Sequence, residues 1–203
     1  MTGSMHASAL SHALKKALLN VMQQMGDQQR HCLIGGSCGL LLQGVSLETP
    51  PRDLDIYVDA IHRIPIYEKL APLATDQPEW NVTEMYQSYL SHYELEEITI
   101  ELVAGFKVSK GDSCYQVDID SCLMQVREEV YVDQTLIPLM PLAHEFVFNI
   151  LRDRADRYTS IAETMKARPD KHASVLNTIL SRNQWSELHM RTMRSCLQPD
   201  FQL

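Results

Sequence analysis

The stretch from Cys32 to Val58 limits what this chain can fold into more than any other. It reads as a strand, a glycine turn, a helix, a loop and a second strand. Cys32, Leu33 and Ile34 form a brief apolar run that stops at Gly35 and Gly36. Paired glycines let a backbone turn sharply and come close to a ligand. Ser37 follows where a hydroxyl can cap a helix. Leu40, Leu41 and Leu42 make that helix apolar, and Gly44 is its expected stop. Beyond Pro50 and Pro51 the second strand alternates. Leu54, Ile56 and Val58 take one face, and Asp53, Asp55 and Tyr57 the other.

Two aspartates on one strand face stand about 7 Å apart. Like charges this close raise each other's pKa unless a cation neutralises them. A divalent ion is the usual reason for such a pair, and Mg²⁺ is held by one or two carboxylates plus substrate phosphates. The glycine turn upstream offers backbone N–H groups to those phosphates. Glycine turn and aspartate pair together describe a metal–triphosphate site.

The order hydrophobic-Gly-Gly-Ser, spacer, Asp-hydrophobic-Asp-hydrophobic resembles the nucleotidyltransferase superfamily of the DNA polymerase β type. It is similar in particular to the small bacterial members that include antibiotic and toxin-type transferases. The resemblance covers about half of the chain. It implies an α/β fold, a mixed sheet flanked by helices, with a C-terminal helical segment that helps hold the acceptor. It also implies transfer of a nucleoside monophosphate, adenylyl in the first instance, from a nucleoside triphosphate to an acceptor hydroxyl. On this pattern Asp53 and Asp55 hold two Mg²⁺ ions, while Gly35, Gly36 and Ser37 hold the triphosphate. Arg52 either steadies a phosphate or offsets Asp53. The alternatives are a catalytically silent nucleotide-binding module and a toxin-like transferase acting on RNA or protein.

The family draws a third carboxylate from a later strand. Ile98, Ile100 and Leu102 alternate with Thr99, Glu101 and Val103, in a strand expected to end at Gly105. Glu101 is a lone carboxylate there, and burying one unpaired is costly. Either it faces solvent or it completes the metal site and takes the acceptor proton. Asp118 is the rival, in a second alternating run, Tyr115 to Asp120, that lacks a glycine turn before it. Asp118 and Asp120 read mostly as solvated strand or turn residues.

The 203 residues suit one domain with a small appendage, divided here as a catalytic part, 1–139, and a helical part, 140–203. A net charge of −8 argues against a broad nucleic-acid surface, so a small-molecule acceptor is expected. Five cysteines without a Cys-x-x-Cys pair read as reduced thiols of a cytoplasmic protein. No apolar run is long enough for a membrane span, and Lys15 and Lys16 fall where a signal peptide would be apolar. The histidines show no ligand spacing, and His144 reads as structural.

Elsewhere helical spacing predicts an amphipathic helix over 8–25 and another from Pro65, with Ile66, Leu70 and Leu73 on one face. A hairpin is expected from Ser88–Leu95 and Ile98–Val103, turning at Glu96 and Glu97. Residues 121–139 read as a strand or an irregular connector. Helices follow from Leu142 and at about 157–167, 170–181 and 184–196. Arg152, Arg154 and Arg157 crowd a helix end, where cations suit the dipole; the lesser reading is contact with a nucleotide phosphate or an acidic acceptor.

Overall fold

The alternating stretch Asp53–Val58 becomes strand β2, in the middle of a mixed sheet. The computed structural model describes residues 9–199 and 201. Among them the chain runs α1 (His12–Met25), β1 (Cys32–Gly35), α2 (Gly36–Leu42), β2, α3 (Arg63–Leu70), β3 (Glu79–Val82), β4 (Tyr86–Leu95) and β5 (Ile98–Lys110). It continues with β6 (Ser113–Gln116), β7 (Glu128–Val132), β8 (Thr135–Leu139), α4 (Leu142–Leu151), α5 (Ala155–Lys166), α6 (Pro169–Arg182) and α7 (Glu187–Leu197). The strand order is β3-β4-β5-β2-β1-β8-β7, with β6 beside β5. β1/β2 and β4/β5 are antiparallel, whereas β2/β5 and β1/β8 are parallel. This is the expected mixed α/β sheet flanked by helices.

Each face of the sheet has its own apolar layer. On one, Ile34, Leu54, Ile56, Val58, Ile100 and Leu102 pack with α1 and α3. On the other, Leu33, Tyr57, Val103 and Phe106 pack with the C-terminal helices. Helix α1 shows why such a layer forms. Ser11 Oγ accepts from Leu14 N–H at 3.2 Å and caps it. Leu14, Leu18, Val21, Met22 and Met25 form one buried stripe, and Gly26 ends the helix at φ 55°. Residue 8, the expected first residue, lies outside the described residues.

Several local expectations change. Helix α3 starts at Arg63, ahead of Pro65, and Leu73 falls in the following 3₁₀ turn. Residues 121–139 form a 3₁₀ turn and the β7–β8 hairpin. The last helix begins at Glu187 because Ser186 Oγ accepts from His189 N–H and sets the N-terminus there. The β4–β5 turn falls at Glu96 and Glu97, both left-handed at φ 51° and 67°, the geometry of a two-residue hairpin. Strand β5 does not stop at Gly105 but runs on to Lys110. Tyr89 pairs with Ala104 and Gln87 with Lys107, so Gly105 and Phe106 both oppose Ser88. This is a β-bulge with glycine at its left-handed position (φ 64°), which bends the strand instead of ending it.

A Cβ on Gly105 would also come within 2.9 Å of Ala60 Cβ, whereas one on Gly111, at φ 54°, would meet nothing within 4 Å. Gly111→Ala is expected to cost about 1 kcal/mol, the left-handed penalty alone. Gly105→Ala should cost clearly more, and urea denaturation of both variants checks the order.

Candidate active site

The β1–β2 ladder builds the site. Its antiparallel register sets Gly35 opposite Asp55. Parallel pairing then sets Asp55 opposite Glu101 and Asp53 opposite Thr99. Asp53, Asp55 and Glu101 thus share the face that looks toward the C-terminal helices. Gly36, Ser37, all three carboxylates and Glu145 line one cleft of about 590 Å³. Arg152, Arg154 and Arg157 line it too, as do Asn81, Thr83 and Ser88 from β3, β4 and their turn.

Gly36 is held at φ 58°, and a Cβ on it would lie 1.7 Å from Asp55 Oδ2. Only glycine fits. A Cβ on Gly35 would meet Tyr57 Cε2 at 2.7 Å and Glu145 Oε1 at 2.9 Å. The two glycines therefore let the turn lie flat against the carboxylates. Ser37 is not the helix cap. Gly35 occupies the cap position, with no side-chain cap bond. Ser37 Oγ instead donates to Asp53 Oδ1 at 3.3 Å. Arg52 is exposed and is not among the lining residues.

Asp118 lies outside the cleft. It accepts from Ser121 Oγ at 2.5 Å and pairs with Arg182 at 3.3 Å. Asp120 is not simply solvated either. It faces His31 and His62, and these three are the group of metal-type donors gathered within 4.8 Å of one another among the described residues. That group shares no residue with the cleft.

Glu145 is the residue the sequence pattern did not single out. Its Oε1 accepts the Gly36 N–H at 2.8 Å. A signal was present: α4 is buried along all ten of its residues, so a carboxylate there must find a partner. Arg152 caps the C-terminus of α4, where a cation suits the dipole, but Arg154 and Arg157 belong to the start of α5, where it does not, and all three line the cleft. Arg152 also stacks over Phe148, 4.9 Å from the ring centre. Arg154 holds Asp156 through two hydrogen bonds of 2.9 and 2.7 Å. His144 is buried outside the cleft, its Nδ1 2.8 Å from Tyr115 Oη.

Crowded charge marks the acidic wall. Burial, then the charges of Asp53, Glu101 and Glu145, push the Asp55 carboxyl up to about 8, against a weaker pull from Arg152. Burial raises Glu145 to about 7, opposed by the Gly36 N–H and by Arg152 and Arg157. An all-oxygen donor set short of positive charge fits a hard divalent cation such as Mg²⁺. Asp53, Asp55 and Glu101 are the residues that could hold it.

No known family profile matches the sequence, and no curated protein matches it. Solved structures do. A provisionally assigned nucleotidyltransferase of Thermotoga maritima superposes with a TM-score of 0.57 at 18% identity, over 75% of this chain and 95% of its own. The chain shares that protein's fold. Weaker likenesses include the lincosamide antibiotic adenylyltransferase LnuA, bound to lincomycin, at 15% identity and TM-score 0.45, over 75% of this chain and 96% of that one. Another is ANT(2″)-Ia with adenylyl-2″-tobramycin, at 7% and 0.48, over 83% and 98%.

Asp55 titrates near 3.8 when unperturbed and near 8 in the fold. Its contribution to stability is therefore intact below about pH 4 and is lost as pH rises through about 8. In chelator, the parent's melting temperature should fall by several degrees between about pH 5 and pH 9. In Asp55→Asn the fall should be clearly smaller, with Glu145 supplying the remainder. Thermal melts across that range test both.

Proposed function

We propose that this cleft transfers a nucleoside monophosphate from a nucleoside triphosphate to the hydroxyl of a small-molecule acceptor, releasing pyrophosphate. The observation that carries the reading is the placement of Asp53, Asp55 and Glu101 on one sheet face, across a cleft from Arg152, Arg154 and Arg157. A metal–triphosphate complex needs carboxylates for its cation and cations for its phosphates. Few other ligands need both walls at once.

Each residue then has a task. Asp53, Asp55 and Glu101 are the holders for Mg²⁺, two ions by the family pattern. Bound there, the metal supplies neutralisation of the triphosphate and of the charge that develops as the α-phosphorus changes partners. The Ser37 hydroxyl and the turn at Gly35 and Gly36 receive the triphosphate tail. The Gly36 N–H becomes available to it only when Glu145 lets go, since the two are bonded. The arginines balance the remaining phosphate charge and hold the chain in line for attack. Glu101 accepts the proton of the acceptor hydroxyl on a carboxylate oxygen as that hydroxyl attacks.

A cleft of about 590 Å³ is in the range of small-molecule sites, and a net charge of −8 suits a small acceptor better than a polyanionic one. All five cysteines are free, in keeping with a reducing cytoplasm. Among the described residues no helix is long and apolar enough to cross a membrane.

The test is incubation with each labelled triphosphate, ATP first, with Mg²⁺ and a panel of hydroxyl acceptors, following pyrophosphate. Asp53→Ala and Asp55→Ala should each lower turnover by about 100-fold or more, since losing a metal ligand removes several kcal/mol of transition-state stabilisation. Glu101→Gln should be nearly as severe, and Asp118→Asn close to the parent. Full activity in Glu101→Gln together with loss in Asp118→Asn would overturn the assignment of the third carboxylate.

A further inference from the structure

The same β1–β2 ladder that opens the cleft at Gly35 and Asp55 ends, at its other end, in a second cluster. There Cys32 pairs with Val58, three residues or about 10 Å along the strand from the cleft end. His31 lies just before β1, and His62 closes the 3₁₀ turn, Ala60–His62, that follows β2. Antiparallel pairing therefore brings the two histidines side by side. Their rings stack at 3.8 Å between centres, 19° from parallel. Asp120 arrives from the segment after β6 and meets both. Its Oδ1 lies 3.3 Å from His31 Nδ1 and its Oδ2 2.6 Å from His62 Nε2.

We propose that His31, His62 and Asp120 form a binding site for a divalent transition-metal ion of the Zn²⁺ class, separate from the cleft. Two imidazole nitrogens and one carboxylate are the donor set that favours such ions over Mg²⁺, which wants oxygen alone. Around a tetrahedral ion with bonds of about 2.1 Å, donors stand about 3.4 Å apart. One donor atom from each of the three residues lies within 4.8 Å of the others, so the set must draw together by up to about 1.4 Å, with one imidazole turning out of the stack, to reach that spacing. Three protein ligands leave a fourth position for water. The side chains are 24%, 14% and 35% exposed, so an ion has a way in and a water can complete its shell.

The surroundings hold these donors in place, as the outer shells of metal sites do. Asp59 ties two of the three segments together. Its backbone carbonyl accepts the His62 N–H at 3.0 Å. Its carboxylate accepts the N–H groups of Ile119 and Asp120 at 3.0 and 2.9 Å. Arg30 Nε donates to His31 Nε2 at 2.9 Å, a contact that an ion on Nδ1 would displace, because Nε2 must then carry the imidazole proton. Gly105 packs against Ala60 in the turn that carries His62, where a Cβ would not fit. An ion here would clip together three segments distant in sequence, and a ligand held only by the native state raises its stability by mass action.

The test uses the full chain, stripped with chelator, dialysed into metal-free buffer and titrated with ZnCl₂ by calorimetry and with CoCl₂ by visible absorption. The expected result is one Zn²⁺ per chain at this site, a Co²⁺ spectrum, and a higher melting temperature with Zn²⁺. His62→Gln and Asp120→Asn should each weaken that binding at least tenfold and remove the Co²⁺ absorption and the Zn²⁺-dependent rise in melting. Asp53→Asn should leave all three readouts in place. Far-UV circular dichroism without metal establishes that each variant folds, and His31→Gln replaces any that does not. The proposal is overturned if the parent takes up no Zn²⁺. It is equally overturned if uptake survives the triad variants, or if Asp53→Asn is what removes it.

Discussion

A backbone that passes where no side chain could go is the constraint on which the site rests. At Gly36 the chain turns left-handed, and a single added carbon would sit 1.7 Å from Asp55 Oδ2. That contact exists because β1 and β2 pair with Gly35 opposite Asp55. A slip of one residue would put the strand's other face toward the cleft and send Asp53 and Asp55 to the apolar layer. The register is held from both sides. Leu54, Ile56 and Val58 are buried against α1 and α3, and Tyr57 against the C-terminal helices. Packing on both faces of the strand therefore decides where the carboxylates point.

The acidic wall is held at a cost in stability. Asp55 and Glu145 are both pushed upward by burial, and Asp55 further by its neighbours. A chain selected for stability alone would not gather carboxylates on the floor of a cleft. The fold limits the strain with a few specific contacts: the Gly36 N–H on Glu145, the Ser37 hydroxyl on Asp53, and the field of Arg152. Each is a contact that a cation or a phosphate could replace.

The β1–β2 ladder gathers two different donor sets because its ends carry different connections. At one end a glycine turn and short helix leave room for a ligand among oxygen donors. At the other, a 3₁₀ turn and the segment after β6 converge through Asp59 on two imidazoles and a carboxylate. The bulge at Gly105 helps join them. It bends β5 just past Glu101 and brings its backbone against Ala60.

By itself the sequence determined the local grammar of the site. The paired glycines, the alternation from Asp53 to Val58 and the lone Glu101 on an apolar strand are written in spacings of a few residues, where periodicity and turn chemistry act directly. They sufficed for the two strands, for the glycine turn and for the face on which the carboxylates lie, while the mixed sheet was implied by the family resemblance they carry. The tertiary structure alone decided what joins them. Glu145 meets Gly36 across 109 residues, and Asp120 meets His31 across 89 and His62 across 58. It also brought Arg152, Arg154 and Arg157, from the junction of α4 and α5, into the lining of the cleft and left Arg52 outside it. Contacts at such separations follow from strand register and helix docking, which the whole apolar core sets at once, and no short window of sequence carries that information.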